Sequence, residues 1–334
     1  MATLSDDLWL VTIVAYLVAM LAYAAEYAFV NRPTRAGSAS LRQIFSMRQA
    51  PELAGVSVGA AGAPPPDPGL PTGPPAEDES PTGWRALGRF SWVALGLLVV
   101  AALAHLATTV TRGLAAERLP FANMYEYALS ATLIAVVAWF VILFRHPGIR
   151  HLSLYLALVN VLLIGAAGVI AYTPVEPLMP ALDSHWFAIH IAAAAFASAA
   201  FLIGFVTTLM YLLRRGYENG RRGFPFTLAA RIPTAATVER LSFGMHAFGF
   251  PIWTFAVAAG AIWAEASWGR YWGWDPKETW AFITWVIYAA YLHGRATPSV
   301  KRTVVAGLAI LGFLTLMMNL FGVNLGFESL HSYA

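Results

Sequence analysis

Long runs of apolar residues alternate along the chain with short polar segments. A helix that crosses a membrane needs about 20 largely apolar residues, and its backbone groups are satisfied within the helix. The runs therefore predict an all-α polytopic membrane protein with about eight transmembrane helices. The predicted helices cover residues 8–30, 90–111, 124–144, 152–172, 187–213, 238–266, 276–293 and 303–326.

Composition agrees with this pattern and divides the chain into three parts. Hydrophobic residues make up 58% and charged residues 12%, whereas soluble domains carry about 25% charged residues. Asp6 and Asp7 precede the first apolar run in place of a basic segment, so residues 1–32 are predicted to be a retained helix and not a signal peptide. Residues 33–89 are rich in Pro, Gly and Ala, which predicts a disordered cytoplasmic linker. Residues 90–334 form the seven-helix body.

Basic residues predict the orientation of the helices, because cytoplasmic loops carry an excess of Lys and Arg. With the N-terminus outside, only Arg112, Arg118, Arg270 and Lys277 fall on the outer side. Both termini and residues 267–275 are therefore predicted to be extracytoplasmic. The same bias accounts for the pI of about 9.2 without a nucleic-acid partner.

The chain contains no cysteine. It therefore cannot carry out thiol–disulfide chemistry, and it cannot form a covalent thioether to a cofactor. Any metal ligand has to be a His, Met, Tyr or carboxylate side chain.

Tryptophans are concentrated in and just after one predicted outer loop, residues 267–275, which we call the Trp-rich loop. Two interpretations are open: an interfacial aromatic belt, in which Trp is enriched anyway, or a flat surface for a large planar ligand. Two of these residues, four positions apart, would share a face if the loop were helical, and Gly269 and Gly273 would leave room for a flat ring. The four tryptophans are Trp268, Trp272, Trp274 and Trp280.

Local chemistry predicts that the seventh helix begins at Pro276. Asp275 is a favoured N-cap, Pro is favoured at the first helical position, and Glu278 completes a capping box. Arg270 and Lys277 are candidate partners for anionic groups of a ligand, or snorkelling side chains at the membrane surface.

The pattern W-G-x-x-W-x-W-D-P-K-E-x-W resembles the WWD signature of haem-handling membrane proteins. With Tyr291-Leu292-His293 and Leu330-His331-Ser332-Tyr333, it is similar to the CcsA/ResC (system II) family of cytochrome c biogenesis proteins. Residues 120–126 and 184–190 resemble further family segments in the same order. The resemblance therefore covers most of the chain beyond residue 90.

The resemblance implies two haem sites. At the outer site His190 and His331 would ligate the iron of haem b, while the Trp-rich loop covers the ring. At the inner site His293, about 26 Å from Pro276 by helical rise, would ligate haem arriving from the cytoplasm. Its opposite ligand is expected from a CcsB/ResB-type partner, with His246 as a rival. The residues implied around the haem are Trp268, Trp272, Trp274, Asp275, Trp280, Arg270 and Lys277.

The implied function is presentation of haem for thioether attachment to the Cys-x-x-Cys-His segment of apocytochrome c, as a subunit of a holocytochrome c synthase. A separate thioredoxin-like protein would keep the cysteines reduced. The expected location is a bacterial plasma membrane, with a thylakoid membrane as the alternative. Two other functions stay open: haem delivery to a chaperone without attachment, and transport of a solute behind an ordinary tryptophan belt. Two polar residues within predicted helices have no role in haem binding. His105 is predicted to be structural, and Glu26 is a buried acid to which no partner is assigned.

Overall fold

A computed structural model describes residues 2–30 and 88–327. Within these ranges the chain is helical and contains no strand. Short 3₁₀ turns connect some of the helices, at Pro147–Leu152, Pro180–Leu182 and Phe226–Ala229. The long helices are α1 (Ala2–Ala25), α2 (Arg89–Ala116), α3 (Met124–Arg145), α4 (Ser153–Ile170), α5 (His185–Glu218), α6 (Ala235–Trp268), α7 (Pro276–Ala296) and α8 (Arg302–Met317).

Two of these helices continue through π-helical turns. A π turn at Glu26–Val30 extends α1, and another at Met318–Gly322 carries α8 into a last α-helical turn, Val323–Gly326. Of the eight long helices described, all but α7 are long and apolar enough to cross a membrane, α1 and α8 together with their continuations. The prediction of an all-α polytopic membrane protein with about eight helices is confirmed. Nearly all of the predicted linker, and the C-terminal segment with His331, lie outside the described residues.

Contacts between helix ends show that α1 and α2 run in opposite directions. Ser5, at the start of α1, bonds the carbonyl of Thr108 near the end of α2. At the other end of α1, the buried acid Glu26 accepts a hydrogen bond from Ser91 at 2.6 Å and pairs with Arg150 at 3.3 Å. Glu26 thus has partners that the sequence did not reveal. We call the end that holds residues 267–275 the Trp-rich end of the bundle.

The helices α5 and α6 are both 34 residues long, and they form the largest interface between helices in the described part of the chain. The predicted bounds, 187–213 and 238–266, were too short. Polar turns extend each helix beyond its apolar run, as where Arg214 and Glu218 pair at 2.9 Å. An ion pair at this spacing stabilises a helix without any apolar residue.

His105 has the structural role that was predicted. Its Nε2 donates to the carbonyl of Leu129 at 3.0 Å, because a carbonyl oxygen can only accept. Its Nδ1 therefore accepts from the hydroxyl of Tyr16 at 3.2 Å. Both ring nitrogens are satisfied, and the side chain joins α1, α2 and α3.

Candidate functional site

A cleft opens at the Trp-rich end between α3, α5, α6, α7 and α8. The space between its lining atoms amounts to about 1140 Å³, including volume open to solvent at the mouth. Cofactor pockets typically have mostly apolar walls and a few polar groups. This cleft has that character, since aromatic side chains from α5, α6 and the Trp-rich loop line it beside His190 and Lys277.

His190 enters the cleft from the first turns of α5 in a fixed orientation. Its Nδ1 lies 2.7 Å from the carbonyl oxygen of Ala256 and must donate to it. The proton on Nδ1 leaves Nε2 with a free lone pair, and Nε2 has no hydrogen-bond partner among the described residues. Metal-ligating histidines are held in the same way, with one nitrogen bound to a carbonyl and the other available to the metal.

Trp263 supports the imidazole of His190 from α6. The two rings are stacked, with centroids 5.8 Å apart and an angle of 17° between their planes. The indole nitrogen of Trp263 donates to the carbonyl of Ala181, which ties the loop before α5 to α6. The sequence analysis did not single out Trp263. Only the tertiary packing of α5 against α6 places it beside His190.

The Trp-rich loop begins where α6 ends. Gly269 has a φ of +71° and caps α6 in the left-handed conformation that glycine adopts at little cost. The loop is not helical, so the condition under which Trp268 and Trp272 would share a face is not met: the helix stops between them. Trp272 lines the cleft, whereas Trp268 packs against Trp263 with ring centroids 4.9 Å apart.

Trp274 occupies an unusual position in this loop. Its φ is +59° and its side chain is 67% exposed. A non-glycine residue in this region costs of order 1–3 kcal/mol and persists only where the surroundings impose it. The constraint is local, since Trp274 immediately precedes the capped start of α7 and its indole lies edge-on to Trp272, 5.7 Å away. The loop thus holds Trp274 outward, exposed and outside the lining of the cleft.

The predicted capping box at the start of α7 is confirmed. Asp275 caps the helix, and Glu278 accepts hydrogen bonds from the backbone N–H groups of Asp275 and Gly273 at 3.1 and 2.8 Å. Glu278 also pairs with Arg270 at 3.0 Å. One carboxylate therefore fixes the helix start and the loop together.

Gly273 was expected to leave space for a ligand ring, and the structure shows that it does not. A Cβ at Gly273 would overlap the guanidinium of Arg270, so the glycine makes room for that side chain. Arg270 is thus engaged within the loop. Among the described residues, Lys277 is the Lys or Arg that lines the cleft.

The predicted outer-site residues separate into four groups. His190, Trp272 and Lys277 line the cleft. Trp280, on the first turns of α7, is half-buried and lies outside the cleft lining. His331 lies beyond the described residues. The remaining predicted residues shape the loop and its attachment: Trp268, Arg270, Trp274 and Asp275.

His293 lies near the other end of α7, about 26 Å from Pro276 by helical rise. Its side chain is exposed, and it has no hydrogen-bond or ion-pair partner among the described residues. The buried face of α7 carries Tyr288 and Tyr291, which contact His246. His293 points away from that face, because it follows Tyr291 by two residues and is therefore rotated by about 200° around the helix axis. His246 therefore does not meet His293, and it is enclosed with its Nδ1 2.8 Å from the Ser242 carbonyl.

A buried charge cluster behind the cleft was missed by the sequence analysis. Glu126 is fully buried and pairs with Arg112 at 3.1 Å and Arg118 at 2.6 Å. It also accepts from the backbone N–H of Ala122 at 3.0 Å, while Asn123 caps α3. The cluster therefore holds residues 121–124, which form one wall of the cleft. The sequence did contain a sign of this cluster, because these three charged residues lie near the ends of two predicted helices.

Comparisons with known proteins agree with this arrangement. The family model described as "Cytochrome C assembly protein" matches residues 99–331. The chain is 30% identical to "Cytochrome c biogenesis protein CcsA" of Guillardia theta over 271 residues, covering 72% of this chain and 85% of that protein. It is 32% identical to the CcsA protein of Porphyra purpurea over 278 residues, covering 71% and 85%. For the CcsA protein of Microcystis aeruginosa the identity is 30% over 287 residues, covering 72% and 85%. Because the family model spans most of the chain, including the cleft and the Trp-rich loop, this protein belongs to the CcsA family of cytochrome c biogenesis proteins.

Proposed function

We propose that this cytochrome c biogenesis protein holds haem b in the cleft and presents it for covalent attachment to apocytochrome c. The observation that carries the proposal is the fixed imidazole of His190. Its Nδ1–H is bound to Ala256, so Nε2 is the nitrogen available to an iron atom inside an aromatic-walled cleft. A solute transporter would not require an imidazole locked in this tautomer.

The proposal also assigns roles to other residues of the outer site. His331 supplies the second axial ligand from the C-terminal segment. Trp272 and Tyr271 lie over the porphyrin from the loop, and Lys277 pairs with a propionate because it is the cation that lines the cleft. Arg270 acts indirectly, since its ion pair with Glu278 keeps the loop in place.

In the attachment step the imidazole of the Cys-x-x-Cys-His segment replaces one axial ligand. Each cysteine thiol then adds across a haem vinyl group: sulfur bonds one vinyl carbon, and the hydrogen goes to the other. No electrons are gained or lost. The chain contributes proximity and orientation, as a subunit of a holocytochrome c synthase. Because it has no cysteine, a thioredoxin-like protein elsewhere keeps the substrate thiols reduced.

His293 is proposed as the ligand of the inner site, where haem is taken up from the cytoplasmic side. Its exposure on the bundle surface supports this role, since a second ligand can approach only from outside the described bundle. That ligand comes from a CcsB/ResB-type membrane subunit. The Trp-rich end is then extracytoplasmic, in a bacterial plasma membrane or a thylakoid.

A cytochrome maturation assay tests the proposal. Cells that express this chain, its partner subunit and a c-type cytochrome are scored for covalently bound haem after denaturing electrophoresis. His190→Ala is expected to abolish the signal. His185→Ala is the matched control, because His185 is an exposed histidine on the same helix that does not line the cleft. Equal maturation in both variants would contradict the proposal.

A further inference from the structure

Two asparagines on the last turns of α8 line the cleft with unpaired acceptors. The side-chain oxygens of Asn319 and Asn324 are both buried, and neither has a hydrogen-bond partner. The orientation of Asn324 is fixed, because its Nδ2 donates to the Leu320 carbonyl at 2.8 Å. A buried acceptor left unpaired is unfavourable, because it has lost its hydrogen bonds to water without replacement. Such atoms in a cleft indicate where a ligand places its donors.

The π-helical turn Met318–Gly322 brings the two side chains to one wall. In an α-helix residues five apart point about 140° away from each other. A π turn is bonded from i to i+5, so residues five apart lie nearly one above the other. Both carboxamides thus line the same wall of the cleft, from neighbouring turns at the end of the helix.

Haem does not match this pair of acceptors. Its propionates accept hydrogen bonds, and its vinyl groups offer no donor. An extended peptide does match, because successive N–H groups on one side of a strand repeat about every 6.6 Å. Carboxamides that project from neighbouring turns can meet two such groups.

We propose that Asn319 and Asn324 recognise backbone N–H groups of an extended peptide segment in the cleft, the cysteine-containing segment of apocytochrome c. The inference rests on the proposed function, and it assigns the wall of the cleft against which the substrate chain lies. The segment would run along the end of α8, while His190 holds haem from α5. The asparagines position the peptide and take no part in the chemistry.

Peptide binding to the purified full chain with its bound haem tests whether Asn319 and Asn324 contact the peptide. The probe is a short fluorescent peptide with a Ser-x-x-Ser-His core, so that no covalent step occurs, and anisotropy gives the Kd. Asn319→Leu and Asn324→Leu are each expected to raise the Kd about five- to tenfold, as for loss of one neutral hydrogen bond. Asn319→Asp keeps an acceptor and is expected to retain binding.

N-methylation of the peptide identifies the hydrogen bonds directly. Methylation at two alternate residues is expected to weaken binding to the wild type and to have no further effect on the double Asn→Leu variant. Asn160→Leu is the matched control, because Asn160 is also a buried amide but lies in α4, away from the cleft. Its Kd is expected to be unchanged.

The remaining outcomes each overturn the inference. Unchanged Kd values in the two cleft variants would show that the pair does not contact the peptide. Loss of haem absorbance with peptide binding intact would assign the pair to haem instead. A wild-type chain that binds haem but no peptide would also exclude the pair as a peptide site. A chain that binds neither would overturn the proposed function itself.

Discussion

Gly260 of α6 leaves the space that the imidazole of His190 occupies. A Cβ at this glycine would lie 2.7 Å from His190 Nδ1, closer than real Cβ contacts. The close approach also lets Nδ1 reach the Ala256 carbonyl one turn earlier on α6. A single missing methyl group therefore permits the orientation on which the proposed haem site depends.

Gly260→Ala is accordingly expected to displace His190 and to lower haem content severalfold. Alanine favours a helix over glycine by about 1 kcal/mol, so the variant should still fold. Gly244→Ala on the same helix is the control, since a Cβ there would meet no atom within 4 Å. The haem absorbance per protein measures the outcome. Equal haem content in the two variants would show that the Gly260 contact does not orient the ligand.

Glu278 is expected to control the Trp-rich loop. Glu278→Ala removes the capping box and the Arg270 ion pair, and loss of a cap costs about 1 kcal/mol. Maturation should fall, because Trp272 is no longer held over the cleft. Glu278→Gln, which can still cap the helix, should retain more activity. Limited proteolysis of the loop provides the structural readout. Glu265→Ala, at an exposed acid on α6, is the control.

The positions of the helices could be predicted from the sequence, whereas most contacts between side chains of different helices could not. Apolar runs identify spans because a membrane requires a fully bonded backbone, and the start of α7 followed from the local chemistry of Asp275 and Glu278. The pairing of His190 with Trp263 could not be predicted in the same way, because residues of two helices meet only through tertiary packing. The same holds for the partners of Glu26. The polar ends of α5 and α6 were missed because they carry no apolar signal.

Glu126 is expected to determine the stability of the Trp-rich end. Glu126→Ala would leave Arg112 and Arg118 without their buried counter-charge, and such a loss costs about 3–5 kcal/mol. The thermal unfolding midpoint in detergent should fall markedly. Glu176→Ala, at an exposed acid of the neighbouring loop, should leave the midpoint unchanged. Similar midpoints in both variants would mean that the cluster does not stabilise this end.

His293 is expected to act before the outer site. His293→Ala should leave the fold intact, because the side chain is exposed and makes no hydrogen bond or ion pair within the described chain. It should nevertheless deplete haem at both sites, whereas His190→Gly should spare the inner site. His146→Ala is the control, at an exposed histidine that follows α3. Normal outer-site haem in His293→Ala would contradict an inward-to-outward route.

The absorption spectrum of the chain purified with its partner subunit tests the central claim most directly. The wild type is predicted to be red and to show the spectrum of six-coordinate haem. His190→Gly is predicted to lose the outer-site haem, and imidazole added during growth should restore part of it by filling the space beside Ala256. A wild-type protein that is colourless, or a His190→Gly protein with the unchanged wild-type spectrum, would contradict the account.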